Sequence, residues 1–359
     1  MKTLLYRRNL SLTSGAGQLI RRQAAGLRTA GERVRVACER GAAKFFLRTG
    51  LPVERVDAAE LDRRAADEAY FLVDHQMVSS RPGIVFVHNL LAEGMRHLAR
   101  EDWRTQAASE ATFFRNLAPW TPVVANSSMV GAALSEHFDL PPDRVTVHRP
   151  GFDAARFNVR RAAGLRRKAR RALRLADAQP LVGLITSGDF AKRGLDLFLE
   201  AAESISAARD DVRFLVVGSK RLPEWAQRHP LVTAGTIRHE PKTRHPEKWM
   251  AALDLFLYPA RFEEFGLVVS EAQGMGVPVL TSRRVGAAEC LPMDYAPWLL
   301  ERPDAAAFAA KALDLLDDAA ARQRLAAASL ANAAYLDGDR YVAETLATIR
   351  QCRDQRIGH

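Results

Sequence analysis

Glu263 and Glu271 stand eight residues apart in the stretch 258–282, YPARFEEFGLVVSEAQGMGVPVLTS. Carboxylates placed this way can take hydrogen bonds from the hydroxyls of a polyol, each charge-assisted bond contributing roughly 1.5–3 kcal/mol. Residues 265–275 read as a helix that Gly276 and Pro278 stop. Glu263 then lies just before the helix start, where the first backbone N–H groups lack partners and the helix dipole favours anions. On the helix, Leu267, Glu271 and Gly274 share one face, and Val268, Ala272 and Met275 share another that suits the core. This spacing turns Glu271 away from the packed side, over a bare glycine that lets a ligand approach. Carboxylates for hydroxyls and free amides for phosphate oxygens together suit a polyol with a phosphate attached.

A basic pair lies at 187–195, SGDFAKRGL, where Lys192 and Arg193 stand directly before Gly194 at the approach to a helix. The arginine fork matches a diphosphate and the lysine adds a point charge. The loop 9–18 holds Gly15, Ala16 and Gly17 ahead of a helix, a turn that lets backbone amides approach a phosphate. Asp74, His75 and His88 follow apolar runs, at strand ends where open α/β sheets bind their ligands. Asp337-Gly338-Asp339 has the D-x-D form of a metal site, but it precedes a helix and reads as capping. No cluster of His, Cys and carboxylates has metal-ligand spacing, so no metal is expected.

The elements that must position these groups alternate. Strands are read at 4–7, 33–38, 69–73, 84–87 and 122–126, and then at 181–186, 212–218, 231–238, 253–258, 277–280 and 298–300. Helices are read at 19–30, 98–117, 129–138, 160–175, 246–252, 265–275, 305–316, 319–334 and 339–353, with Ser127 or Ser128 capping the third of these. Residues 41–68 carry no clear period. A strand, glycine-rich loop, helix and strand in succession open a doubly wound α/β domain. At 359 residues the chain is expected to hold two domains.

The pattern E-x-F-G-L-V-x-x-E-A-x-x-x-G-x-P-V, from Glu263 to Val279, resembles the signature of nucleotide-sugar-dependent glycosyltransferases of the GT-B fold, family four. The runs VVANSS and LPPDRVTVHRPGFD, followed by RF, are similar to the same family, and SGDF-x-KRG resembles its subgroup that adds glucose to the lipopolysaccharide inner core. Many relatives carry an early Arg where this chain has Gly188. The resemblance implies two Rossmann-like doubly wound domains facing across a cleft. These are an acceptor-binding domain at 1–176, with the terminal helix 339–359 packing back on it, and a nucleotide-sugar domain at 177–338. It implies a metal-independent, anomerically retaining hexosyltransferase with no cofactor beyond a nucleotide-sugar donor, UDP-glucose in the leading reading. Glu271 would hold the ribose hydroxyls, and Glu263 with the amides of Phe265, Gly266 and Leu267 would hold the sugar. Arg193 and Lys192 would neutralise the diphosphate, His88 would stand near the transferred sugar, and the loop of Gly15 and Gly17 would reach the phosphates or the acceptor. Residues 238–239 precede the loop that holds the base in relatives. The acceptor would be a saccharide or lipid-linked saccharide, as in lipopolysaccharide or other cell-surface glycan assembly. The alternatives are a nucleotide-sugar epimerase and a non-catalytic GT-B protein that binds anions or RNA.

Composition bounds the rest. The net charge of +10 is uneven: residues 1–50 hold 11 Lys or Arg against 2 acids, and residues 151–180 hold 9 against 2. Such asymmetry suits an anionic acceptor or peripheral contact with an anionic membrane, near which each basic residue contributes about 1 kcal/mol. Nucleic acid is not expected, because no recognition motif accompanies the basic stretch 160–175. Three well-separated cysteines, Cys38, Cys290 and Cys352, fit free thiols in a reducing compartment. The opening MKTLLYRRNLSL lacks the apolar core of a signal peptide, and the expected location is cytoplasmic, peripheral on the inner face of the membrane.

Overall fold

The computed structural model describes residues 1–11, 14–41 and 49–357. Its named strands form two wholly parallel sheets. The first contains β1 (Lys2–Tyr6), β2 (Val34–Cys38), β3 (Val53–Arg55), β4 (Tyr70–Asp74), β5 (Ile84–Val87), β6 (Val123–Ala125) and β7 (Val145–Val147), in the order β3-β2-β1-β4-β5-β6-β7. The second contains β8 (Leu181–Ile185), β9 (Arg213–Val217), β10 (Ile237–Glu240), β11 (Leu255–Leu257) and β12 (Val279–Leu280), in the order β10-β9-β8-β11-β12. Strands such as LVGLI of β8 are buried along their whole length, because helices cover both faces of a parallel sheet. In both sheets the strand order reverses beside the first strand, between β1 and β4 and between β8 and β11. Ligands of such sheets bind at that switch point, outside the carboxyl ends of the strands.

The chain divides into two compact units, residues 1–150 with 339–359, and residues 151–338. In the first, the terminal helix Gly338–Ile357 packs beside the helix Gly15–Thr29. Gln23 Nε2 donates to Tyr341 Oη, a Cβ on Gly26 would strike Val342, and Glu32 accepts from Arg350 and Arg353. In the second, one continuous core runs from Phe152 to Leu336.

The boundary at Pro150 lies well before the expected one at 176. The reason is the basic helix Val159–Ala172, which is built into the second unit. Arg166 Nη1 donates to Leu253 O at 2.9 Å, and its Nη2 meets Asp254 Oδ1 at 2.5 Å. Arg170, 1 % exposed, donates to Ala252 O, Asp254 Oδ2 and Ala176 O. Two of the basic residues read as a solvated or membrane-facing surface therefore pin the start of β8 and the turn before β11, while Arg160, Arg161, Arg167, Lys168 and Arg171 stay exposed.

Other expected elements shift locally. The expected helix 98–117 is a turn at Glu101–Trp103 followed by the helix Arg104–Asn116, and a separate short helix, Leu91–His97, precedes it. Residues 231–238 are a helical turn, Pro230–Thr233, ahead of β10, since Gly235 at φ 78° breaks the run. β3 and β7, three residues each, are too short to show a period.

Candidate functional site

Adjacency of β8 and β11 brings the loops 186–194 and 258–264 together at the switch point of the second sheet. Gly194 closes the first loop in a left-handed conformation, φ 67°, and opens the helix Leu195–Ala208. A Cβ there would lie 2.1 Å from Pro259 O, so the second loop crosses on bare backbone. Arg261 locks the crossing, its N–H donating to Lys192 O at 3.0 Å and its guanidinium holding Asp196 Oδ1 at 2.7 Å.

This crossing fixes four charges. Arg193 Nη2 meets Glu263 Oε2 at 2.6 Å, and Tyr258 Oη donates to the same oxygen at 3.3 Å. Lys192 Nζ meets Glu264 Oε2 at 2.5 Å, and the Lys192 amide donates to Asp189 Oδ1 at 3.1 Å. The two basic residues, read from sequence as freely available charges, are each held by a carboxylate. Burial lowers the affinity of the Arg193 guanidinium for its proton, but Glu263, Tyr258 and Glu264 together outweigh this and raise its pKa. Burial and then Glu263 raise the pKa of the Tyr258 phenol. Gly188 occupies open space, with nothing within 4 Å of a Cβ built there.

The helix that follows, Leu267–Gly274, begins at Gly266, which adopts φ 90°. No side chain caps its N-terminus. A Cβ on Gly266 would come within 3.2 Å of Val285 and Glu263, so Phe265, Gly266 and Leu267 form a tight turn directly beside Glu263. Glu271 is half-buried and shares the less covered face with Leu267 and Val268. Two details differ from the helix as read. Val269, not Val268, is fully buried. Gly274 faces protein: a Cβ there would strike the Phe152 ring at 2.5 Å and Phe157 O at 2.7 Å, so this glycine serves packing rather than a ligand's approach.

In the first unit, Asp74 ends β4, His75 follows it, and His88 follows β5. Asp74 accepts from the amides of Gln76, Val78 and Ser79 at 2.7–2.9 Å and so shapes a turn. His75 Nδ1 and His88 Nε2 are 2.9 Å apart, with the rings stacked. Burial, with help from the nearby Arg7 charge, pushes His88 down to about 3 and His75 well below its ordinary value. Both are neutral near pH 7, which makes them hydrogen-bonding groups rather than acids. Ser14 caps the helix Gly15–Thr29 by accepting from the Gly17 amide at 3.2 Å, and a Cβ at Gly17 would lie 1.9 Å from Ser11 O. The expected open amide at Gly17 is thus taken by the chain itself. Leu12 and Thr13, in the same loop, lie outside the described residues. Arg238 pairs with Glu240 at 2.9 Å, and His239 Nε2 lies 2.8 Å from Gly218 O.

The switch-point loops fall inside a recognisable region. Residues 181–318 match the family model described as glycosyl transferases group 1. The chain is 30 % identical over 253 residues to a D-inositol 3-phosphate glycosyltransferase of Thermomonospora curvata, an alignment covering 65 % of this chain and 57 % of that one. It therefore spans little more than half the length of that relative. Two solved structures share the whole architecture. WaaG, a glycosyltransferase involved in lipopolysaccharide biosynthesis, superposes with a TM-score of 0.78 at 20 % identity over 97 % of this chain and 99 % of its own. Anabaena Alr3699/HepE, in complex with UDP and glucose, gives 0.78 at 18 % identity over 98 % and 100 %. These likenesses establish the fold as GT-B.

Glu264 and Tyr258 went unread in the sequence as site groups. The doublet Glu263-Glu264 was visible, but only the crossing of two loops assigns one carboxylate to each base. No group of three or more His, Cys, Asp or Glu able to hold a metal occurs among the described residues. None of their helices is long and apolar enough to cross a membrane.

Proposed function

We propose that the protein transfers a sugar from a nucleotide-sugar to a saccharide or lipid-linked saccharide acceptor, with UDP-glucose the leading donor and retention at the anomeric carbon. The observation that carries this reading is the pairing of Arg193 with Glu263 and Lys192 with Glu264 beneath an uncapped helix start, with Glu271 one turn further on. A diphosphate entering there competes for Arg193 and Lys192 and releases Glu263 toward the sugar hydroxyls. Glu271 holds the ribose. The bond from the anomeric carbon to the phosphate oxygen breaks as the bond to the acceptor oxygen forms on the same face, and the acceptor proton passes to the departing phosphate. Negative charge grows on that phosphate in the transition state, so fixed cations there lower the barrier most. The reaction needs no metal.

Support for the donor comes from Alr3699/HepE, solved with UDP and glucose. Support for an anionic acceptor comes from the relative named for D-inositol 3-phosphate and from the basic first fifty residues. Peripheral binding to the inner face of an anionic membrane from the cytoplasm belongs to the same proposal.

Thermal denaturation with UDP, GDP, ADP and their sugar conjugates tests it. A ligand at a hundred times its Kd adds about 2.7 kcal/mol of stability, so UDP and UDP-glucose should raise the midpoint clearly. In the same assay Glu271→Ala should weaken UDP binding, while Glu263→Gln should keep it and lose transfer. Equal UDP affinity in Glu271→Ala and the parent would remove the ribose role. Conversion of the donor sugar without acceptor would point to an epimerase. Binding that ignores UDP and falls steeply with salt would point to a non-catalytic anion or RNA binder.

A further inference from the structure

The switch point of the first sheet holds a charge that no carboxylate among the described residues compensates. Arg7 follows β1 directly, beside the end of β4, where Tyr6 pairs with Asp74 and the His75 amide donates to Tyr6 O. Of the five donors of its guanidinium, one is engaged among the described residues, Nη1 to His75 O at a long 3.3 Å. Its Nε is shut off from solvent and has no partner among the described residues. Both nearby acids are occupied elsewhere. Glu39 accepts from Tyr6 Oη and Arg8 Nε, each at 3.0 Å, and Asp74 is taken by three backbone amides. Burial lowers the Arg7 pKa to about 10, and no carboxylate lifts it back. His75, 2 % exposed, likewise leaves its Nε2 unpartnered.

Buried charges are paired in stable proteins, because an unpaired one carries an unrelieved desolvation cost. The two histidines beside Arg7 are neutral and relieve none of it. The helix Gly15–Thr29 follows β1, so its N-terminus, the positive end of its dipole, lies on the side of the sheet where β1 ends. Sheet topology puts this place where an open α/β sheet binds ligands.

We propose that Arg7 is the anchor of an anion site at the β1–β4 switch point, and that its ligand is a phosphate group carried by the acceptor. This rests on the transferase reading for the word acceptor only; the site itself stands on the first unit. Arg7 would donate the N–H groups of its fork to two phosphate oxygens. Arg8, next in sequence but already paired with Glu39 across an exposed surface, would take no part.

The test uses inorganic phosphate as probe, on the full chain saturated with UDP and at constant ionic strength set with chloride. Parent protein should be stabilised by phosphate beyond chloride. Arg7→Met should bind phosphate roughly ten- to a hundredfold more weakly, while Arg8→Met should bind it as the parent does. In phosphate-free buffer Arg7→Met should melt no lower than the parent, since it removes an unpaired charge. A purely structural arginine would give the opposite, a lower midpoint with phosphate binding intact, and would overturn the proposal. Should Arg7→Met fail to fold, that result also counts against it, and the Arg7 Nε–H resonance of the parent decides directly: it must shift on adding phosphate. If UDP fails to bind while Arg7 still governs phosphate, the donor reading falls and this one stands.

Discussion

At the scale of single residues, the candidate site is a set of ion pairs waiting to be exchanged. Arg193 and Glu263 have side chains only 18 % and 12 % exposed, so removing one partner strands the other. Arg193→Met should cost about 2–3 kcal/mol in urea unfolding, somewhat below the range for fully buried pairs. Arg193→Met with Glu263→Leu should recover most of that loss, because no charge is then left alone. If the double variant is as unstable as the sum of the single ones, the pair is not coupled. The residue types were legible from sequence: acids for hydroxyls, an arginine and a lysine before a glycine for a diphosphate. Their pairing was not, because Lys192 and Glu264 lie 72 positions apart and meet only through neighbouring strands.

At the scale of elements, two loops and one glycine decide the geometry. Gly194 combines φ 67° with a backbone oxygen 2.1 Å from where a Cβ would stand. The left-handed conformation alone costs a non-glycine residue roughly 1–2 kcal/mol, and the clash must move the 258–264 loop as well. Gly194→Ala should therefore lower stability by about 2 kcal/mol or more and also weaken UDP binding, whereas Gly188→Ala, which meets open space, should change stability little. Equal midpoints for the two variants would contradict the crossing. The helix Leu267–Gly274 was readable from its flanking glycine and proline, but its buried face was misassigned by one position at Val268 and Val269. Periodicity gives the repeat of a short helix; the partner surfaces, here Phe152 and Phe157 against Gly274, set its rotation.

At the scale of the whole molecule, the chain builds the same strand order twice and returns its last helix to the first unit. Glu32 is the fastening, bound by Arg350 at 2.9 Å and by Arg353. The hydrogen bond from Arg353, assisted by Arg350, holds the Glu32 carboxyl below its ordinary value against burial. A depressed carboxylate contributes its stability above the unfolded pKa and loses it as pH falls through the folded one. Exchange of amides in 339–357, taken relative to the intrinsic rate at each pH, should therefore speed up below about pH 4 in the parent. In Glu32→Gln it should already be faster at pH 7, by an amount matching about 1 kcal/mol. Exchange in that helix independent of both pH and Glu32 would show that apolar contacts such as Leu346 and Ile349 alone hold it.

The sequence by itself determined the fold class, the repeated α/β order and the identity of the charged groups in the second unit, because apolar runs, glycine positions and residue chemistry are local properties. Tertiary structure decided which charges neutralise one another, why Gly17 and Gly274 must be glycine, and that the basic helix belongs to the second unit. It also decided that Arg7, one of eleven basic residues in the first fifty, is left without a carboxylate. Those outcomes depend on which strands become neighbours, and strand neighbours are chosen by the burial of the whole sheet rather than by any one stretch of chain.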